Sequence, residues 1–133
     1  MRRRGATLAV LAVALLAAGC GSDDEASDGT TTETDGPIAA GTPLKASVGP
    51  GFEISLVTED GQTVSALEPG SYELEIEDLA AEHNFHLTGP GVDISTDVAE
   101  EGTQNVSLSV AAGTYEFVCD PHAAQMNGSF EVS

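Results

Sequence analysis

The sequence is short and strongly acidic. It has 133 residues, with 4 Lys and Arg against 22 Asp and Glu, so its formal net charge at pH 7 is −18. Such a surface does not attract DNA, RNA or anionic lipid, because those partners need a basic surface. The absence of Trp and an aromatic content of 5% also argue against a stacking surface for single strands. The composition therefore predicts no nucleic-acid partner.

Residues 1–19 are predicted to be a signal peptide of the bacterial lipoprotein type. Arg2–Arg4 precede the uncharged stretch Ala6–Ala18, which is shorter than the roughly 20 residues of a membrane-spanning helix. The peptide ends in Leu-Ala-Ala-Gly directly before Cys20, and small residues before a cysteine are typical of a site where the peptide is cut and the cysteine lipidated. We therefore predict lipidation of Cys20, with an ordinary secretory peptide as the alternative. Cleavage would leave Lys45 as the only Lys or Arg, and a formal charge of 1 − 22 = −21.

Residues 20–43 are predicted to be the lipidated cysteine and a disordered acidic tether. The segment from Gly21 to Thr42 is rich in Ser, Thr, Gly and Asp and nearly free of apolar residues, so burial cannot offset the entropy of ordering it. Such a tether would hold a folded domain, residues 44–133, away from the membrane. The predicted localisation is extracytoplasmic, with a lipid anchor on the outer face of the cell membrane.

From residue 44 onward the sequence alternates apolar and polar residues, as half-buried β-strands do. Turn signals separate the runs, among them the Gly-Pro-Gly sequences at 49–51 and 89–91. This pattern predicts an all-β fold, a sandwich or a barrel, with no helix of useful length. The residues expected to face inward are Phe52, Ile54, Leu56, Tyr72, Leu74, Ile76, Val106, Leu108, Val110, Tyr115, Phe117 and Cys119.

A candidate metal site follows the last of these runs. Cys119 is followed by His122 three residues later and by Met126 four residues after that, within one short loop between strands. A thiolate, an imidazole and a weak thioether together suit copper that cycles between Cu(I) and Cu(II). Zinc would prefer more thiolates or a carboxylate. The alternative is that Cys119 is simply packed as a small apolar residue.

Such a site needs a second imidazole, and the choice lies between His83 and His86. If the segment is a strand, His83 shares its phase with Phe85 and Leu87 and points inward. His86 then points to the other face with Asn84. Strand alternation therefore favours His83 as the ligand and leaves His86 as a solvated surface residue.

His83-Asn84-Phe85, together with Cys119-Asp120-Pro121-His122 and Met126, resembles the cupredoxins of the plastocyanin, azurin and amicyanin group. The resemblance covers residues 44–133 and implies a Greek-key β-sandwich of about seven or eight strands. It implies one type 1 copper, with His83, Cys119 and His122 as strong ligands and Met126 as a weak axial ligand. It also implies that Asn84 bonds to the ligand loop. Three residues separate His122 from Met126, one fewer than is usual in plastocyanins and one more than in amicyanins.

Two neighbours of the site are also expected to matter. Pro121 has no N–H to donate to the Cys119 sulfur, which would leave the thiolate electron-rich. Small residues of two loops, Ala123 with Ala124 and Pro90 with Gly91, would form an apolar rim around His122 if those loops meet at one end of the domain.

The predicted function is electron transfer by a monomeric copper protein that is not an enzyme. The predicted partners are redox proteins that present a basic patch to its acidic surface. A copper-binding protein for storage, delivery or tolerance is the alternative, and it would usually carry more Met or His. A copper enzyme would need further ligands with an open position, and His86 is the only histidine left over. A metal-free adhesion-type sandwich is the remaining alternative.

Overall fold

The computed structural model describes residues 36–133 of the chain. The predicted signal peptide, the lipidation site Cys20 and most of the predicted tether lie outside these residues. The strands are β1 (Leu44–Val48), β2 (Ile54–Thr58), β3 (Ala66–Leu67), β4 (Gly70–Asp78), β5 (His86–Gly89), β6 (Val92–Ser95), β7 (Gly102–Val110), β8 (Gly113–Val118) and β9 (Asn127–Val132), and a 3₁₀ helix spans Asp120–His122.

These strands form two sheets. One sheet has the order β2-β1-β4-β7 and the other has the order β3-β9-β8-β5-β6. Neighbouring strands are antiparallel except for the parallel pairs β1·β4 and β3·β9. The predicted all-β sandwich is confirmed, with nine strands in the described part of the chain instead of seven or eight. The two-residue strand β3 is too short to show any alternation in the sequence.

The core lies between the two sheets, where the alternating apolar residues meet. Two aromatic pairs stack within the second sheet, Phe85 on Phe117 and Tyr115 on Phe130, with ring centroids 5.6 and 5.1 Å apart. The alternation was a good guide to these buried positions but not to Phe52, which was predicted to face inward. Phe52 precedes β2 and is 63% exposed.

The folded domain starts earlier than the predicted boundary at residue 44. Ile38 is 7% exposed and forms a parallel bridge with Leu67. Its carbonyl oxygen accepts hydrogen bonds from the Tyr72 hydroxyl, at 2.9 Å, and from the backbone N–H of Glu68, also at 2.9 Å. The prediction of a disordered tether is therefore wrong for residues 36–43, because one buried isoleucine and its backbone bonds tie this segment to the domain.

Strand β8 defines the two ends of the sandwich. It runs from Gly113 at one end to Val118 at the other, and Cys119 follows at the second end, which we call the Cys119 end. Pro90 lies at the opposite end, where its carbonyl oxygen accepts a 3.0 Å hydrogen bond from the Tyr115 hydroxyl. The predicted rim is therefore wrong for Pro90 and Gly91.

Among the described residues, no helix has the length and apolar character needed to cross a membrane.

Candidate metal centre

Three of the predicted ligands meet at the Cys119 end. The Nδ1 atoms of His83 and His122 lie 3.1 Å apart, and Cys119 Sγ lies 3.6 Å from the first and 3.5 Å from the second. His83 and Cys119 are buried, at 2% and 0% exposure, and His122 is half-buried. Two imidazole nitrogens and one thiol sulfur are thus directed at one small, water-poor region.

The spacing of these three donors fits a metal ion. A point equidistant from the three atoms lies about 2.0 Å from each. That is close to metal–nitrogen distances of about 2.0–2.1 Å and metal–sulfur distances of about 2.3 Å. The donor set of imidazoles and a thiolate is one that copper favours.

The ligand loop is closed by its own backbone. The N–H of Cys119 donates to the carbonyl of Met126 at 2.9 Å, and the N–H of Met126 donates to the carbonyl of His122 at 2.9 Å. The 3₁₀ helix in between carries Pro121 in its first turn, where a missing N–H costs nothing. Pro121 itself is exposed. These bonds hold Cys119 and His122 close together without help from a metal.

Met126 belongs to the same closed loop and is completely buried, at 0% exposure. Its backbone bond to Cys119 brings the residue beside the three donors, at the point where the chain enters β9. A buried thioether is chemically suited to serve as a weak ligand.

His83 reaches the site from a turn and not from a strand. Its N–H donates to the carbonyl of Ala80 at 3.1 Å, and β5 begins only at His86. The inward direction of His83 was predicted by strand alternation, but the turn before β5 is what produces it. His83 and Asn84 are both buried, at 2% and 1% exposure, which strict alternation would not allow.

The back of the His83 ring is held by packing. Its Nε2 atom is buried and has no hydrogen-bond partner among the described residues. Gly49 lies against the ring so closely that a Cβ at that position would stand 2.7 Å from His83 Cδ2. Oδ2 of buried Asp78 also lacks a partner in the described part of the chain, and burial raises the pKa of this carboxyl group.

Asn84 connects the two segments that supply the donors. Its Oδ1 accepts a 2.8 Å hydrogen bond from the backbone N–H of Asp120, and its Nδ2 donates to Asp120 Oδ2 at 2.7 Å. Because Asn84 follows His83 and Asp120 follows Cys119, this pair of bonds fixes the distance between the two ligand-bearing segments.

His86 lies in a different setting from the one predicted. Its Nδ1 is 3.0 Å from Oδ1 of Asp120 and its Nε2 is 2.9 Å from Oδ1 of Asp93, with 26% of the side chain exposed. The hydrogen bond with Asp120 raises the pKa of His86, and the hydrogen bonds from His86 and Asn84 lower the pKa of Asp120. The prediction that His86 is a solvated surface residue is wrong, because two carboxylates bind its ring.

The His86–Asp120 pair predicts a pH-dependent stability. The raised pKa of His86 means that its contribution is complete below about pH 6.5 and is lost as the pH rises through the higher folded value. The lowered pKa of Asp120 means that its contribution is present above about pH 3.8 and is lost as the pH falls through the lower folded value. In urea unfolding of the copper-free protein, the stability advantage of wild type over His86→Gln is expected to be greatest between about pH 4 and 6.5. An advantage that grows above pH 8 would contradict this assignment.

Phe52 covers the two histidine rings from the solvent side. Its ring meets those of His122 and His83 edge to face, with centroids 5.0 and 6.2 Å away. The loop that carries Gly49 also carries Phe52, so the first Gly-Pro-Gly sequence lies at this end of the domain and the second at the other. Sequence reasoning did not place Gly49 and Phe52 at the site, because a turn motif does not show which end of a sandwich it occupies.

Comparison with known proteins identifies the class of this site. The model of the plastocyanin/azurin family of copper-binding proteins matches residues 63–133. The match spans more than half of the chain, which therefore belongs to the plastocyanin/azurin family, and copper is its cofactor. The predicted resemblance to cupredoxins is confirmed.

Solved structures that are similar to this chain include those of rusticyanin and auracyanin. Rusticyanin from Thiobacillus ferrooxidans is 20% identical, with a TM-score of 0.47 over 74% of this chain and 79% of that chain. A rusticyanin mutant is 20% identical, with a TM-score of 0.50 over 74% and 80%. Reduced auracyanin from Roseiflexus castenholzii is 16% identical, with a TM-score of 0.48 over 71% and 98%. Comparison with curated protein sequences gives no match.

Proposed function

We propose that the chain is an electron carrier with one mononuclear type 1 copper, held by His83, Cys119 and His122 with Met126 as a weak axial ligand. The observation that carries this proposal is the convergence of two imidazole Nδ1 atoms and one thiol sulfur within 3.1–3.6 Å of each other. The membership in a copper-binding family supports it.

Copper bound there supplies one-electron chemistry by alternating between Cu(I) and Cu(II). The contribution of the protein is a donor set that changes little between the two states. The backbone hydrogen bonds of the ligand loop and the two hydrogen bonds between Asn84 and Asp120 hold the donors in place. Burial of Cys119 excludes water from the sulfur. We propose that the protein is not an enzyme, because electron transfer through the copper needs no bound substrate, general acid or general base.

The His122 ring is the route by which an electron enters or leaves. His122 is half-buried while His83 is buried, so His122 is the imidazole that connects the site to the surface. Phe52 stands edge to face against it and is 63% exposed. A partner that touches Phe52 is therefore in contact with an aromatic ring that itself touches a copper ligand.

The test of electron transfer is repeated oxidation and reduction in the presence of a copper chelator. An electron carrier is expected to gain and lose its visible band over many cycles of ferricyanide and ascorbate while the copper stays bound. A storage or delivery protein would lose copper to the chelator in the Cu(I) state. Copper loss at the first reduction would therefore contradict the proposal and favour the alternative.

Replacement of Met126 tests the axial ligand. Met126→Leu nearly conserves volume and is expected to cost less than about 1.5 kcal/mol of stability. Copper and colour are expected to remain, and the potential is expected to rise, because a weak axial bond modestly favours Cu(II). The measurement is a redox titration of both proteins. An unchanged potential, or complete loss of copper, would show that Met126 has a different role.

We further propose that the domain is tethered outside the cytoplasm by lipid on Cys20, on the outer face of the cell membrane. The basis is the sequence of residues 1–20 and the acidic composition of the segment that follows. Growth of cells with a radiolabelled fatty acid would label the wild-type protein and not Cys20→Ser. Equal labelling, or none in either protein, would contradict the proposal.

The partners are proposed to be redox proteins with a basic docking patch, which meet a monomer of this chain. The contact surface is the exposed set Phe52, Ala123 and Ala124, which we call the copper-end patch. The net charge of −18 supports a positively charged partner, and complementary charge mainly speeds the encounter.

Salt and a charge substitution test this docking mode. The reaction with a basic redox protein is expected to slow as salt rises, because exposed charges are screened beyond about 8–10 Å. Ala123→Lys is expected to slow it at every ionic strength. Ala112→Lys is the matched control, since it adds the same charge at an exposed alanine beyond the opposite end of β8, and its rate is expected to approach the wild-type rate at high salt. A wild-type rate with this basic protein that stays constant or climbs with salt would contradict docking by complementary charge.

A further inference from the structure

His86 occupies a junction between β5, β6 and the ligand loop. It is the first residue of β5, where it pairs with Val118, the residue before Cys119. Its Nδ1 faces both carboxylate oxygens of Asp120, at 3.0 and 3.1 Å, and its Nε2 faces Asp93 at 2.9 Å. An ionised carboxylate only accepts hydrogen bonds, so both contacts are satisfied together when both ring nitrogens carry protons.

Asp120 is the residue through which His86 reaches the ligands. It directly follows Cys119 and opens the 3₁₀ helix that ends at His122. Asn84 bonds to its backbone N–H and to Oδ2, while His86 bonds to the same carboxylate from strand β5. Asp120 is therefore fixed from two sides, by Asn84 and by the His86 ring.

We propose that His86 is a positioning residue of the copper centre, which acts through Asp120 to hold the Cys119–His122 turn against β5. This inference rests on the proposed function, because it concerns the same site. The Nδ1 contact orients the residue next to the thiolate, and the positive ring offsets a negative charge beside it. Without that ring, the unpaired carboxylate favours Cu(II) and the potential falls. The Asp93 side chain is 81% exposed, and its contact with His86 links β5 to β6 within the hairpin.

Two substitutions separate the two ring nitrogens. His86→Asn keeps a donor near the place of Nδ1 and loses the contact with Asp93. His86→Gln keeps a donor near the place of Nε2 and loses the contact with Asp120. Both variants remove the same positive charge, so a difference between them reports the Asp120 contact. Lys45→Gln is the control for net charge, because Lys45 lies on the other sheet in an exposed ion pair with Glu75.

The measurements are Cu(II) affinity by competition with a chelator, the visible and electron paramagnetic resonance spectra, and the potential. Loss of a partner that orients a ligand-bearing group typically costs 10–100-fold in metal affinity. His86→Gln is expected to show a loss of that size and a shifted spectrum. Both His86 variants are expected to have a lower potential, because both remove the positive ring. His86→Asn is expected to keep most of the affinity and the wild-type spectrum, and Lys45→Gln to match wild type throughout.

The proposal is overturned if His86→Gln matches wild type, or if His86→Asn loses as much affinity as His86→Gln. If His86→Gln does not fold, Asp120→Asn tests the same contact through affinity and spectrum, because it weakens the contact from the other side while keeping an acceptor for Asn84. Its potential is expected to rise, since it removes a negative charge, and wild-type affinity and spectrum in this variant would overturn the proposal. Failure of wild type to bind one copper would instead contradict the proposed function, so the two failures are distinguishable.

Discussion

Replacement of Cys119 by serine is expected to remove the intense visible absorption of the Cu(II) protein completely. The colour of such a site arises from charge transfer between a soft thiolate and copper, and a hydroxyl group does not supply that donor. Cys119 is buried, at 0% exposure, so its sulfur is shielded from solvent. The measurement is the absorption spectrum of each protein after addition of Cu(II), with folding checked by circular dichroism.

Gln125→Ser is the matched control for this substitution. Gln125 lies in the same loop with an exposed side chain, and the loop uses only its backbone N–H, which donates to the carbonyl of His122. The control is expected to keep the full band. A visible band of normal intensity in Cys119→Ser would mean that the thiol is not a ligand and would reject the proposed ligand set.

Gly49→Ala is expected to damage both the stability of the domain and its copper site. The backbone at Gly49 has φ of +76°, where a side chain is strained, and the added Cβ would stand 2.7 Å from Cδ2 of His83. The ring of His83 is buried, so it can yield only by moving within the site. Strain and overpacking of this kind together cost about 2–5 kcal/mol. We expect that loss in urea unfolding, together with a shifted visible band.

Gly61→Ala separates the effect of backbone strain from the effect of the contact with His83. Gly61 has a similar φ of +87°, but a Cβ there would meet nothing within 4 Å. It therefore carries the backbone strain alone, about 1–2 kcal/mol, and its copper spectrum is expected to match wild type. Equal losses in the two variants, with an unchanged spectrum in both, would show that Gly49 does not position His83.

The ligand loop could be predicted from the sequence because its chemistry is local. Cys119, His122 and Met126 lie within eight residues, and backbone hydrogen bonds, which any chain can make, are enough to close such a loop. The strands were predictable for a similar reason, because alternation along a strand records which side is buried. Strand alternation favoured His83 over His86, and the family resemblance added the role of Asn84; both residues lie far from the loop in the sequence.

The remaining features depend on contacts between distant segments, which no local pattern records. Gly49 and Phe52 lie against the two histidines only because the β1–β2 connection is at the Cys119 end. The contacts of His86 require β5, β6 and the ligand loop to be in place together. Ile38 was assigned to the tether because a single apolar residue in a polar segment gives no periodicity.

Titration of the full chain with Cu(II), followed by visible absorption, tests the central claim most directly. The account predicts an intense band that grows linearly and stops at one copper per chain, because the described residues bring together one set of two imidazoles and one thiolate. It also predicts that ascorbate bleaches the band and ferricyanide restores it. A titration that yields no intense band, or one that continues past one equivalent, would contradict a single type 1 copper centre.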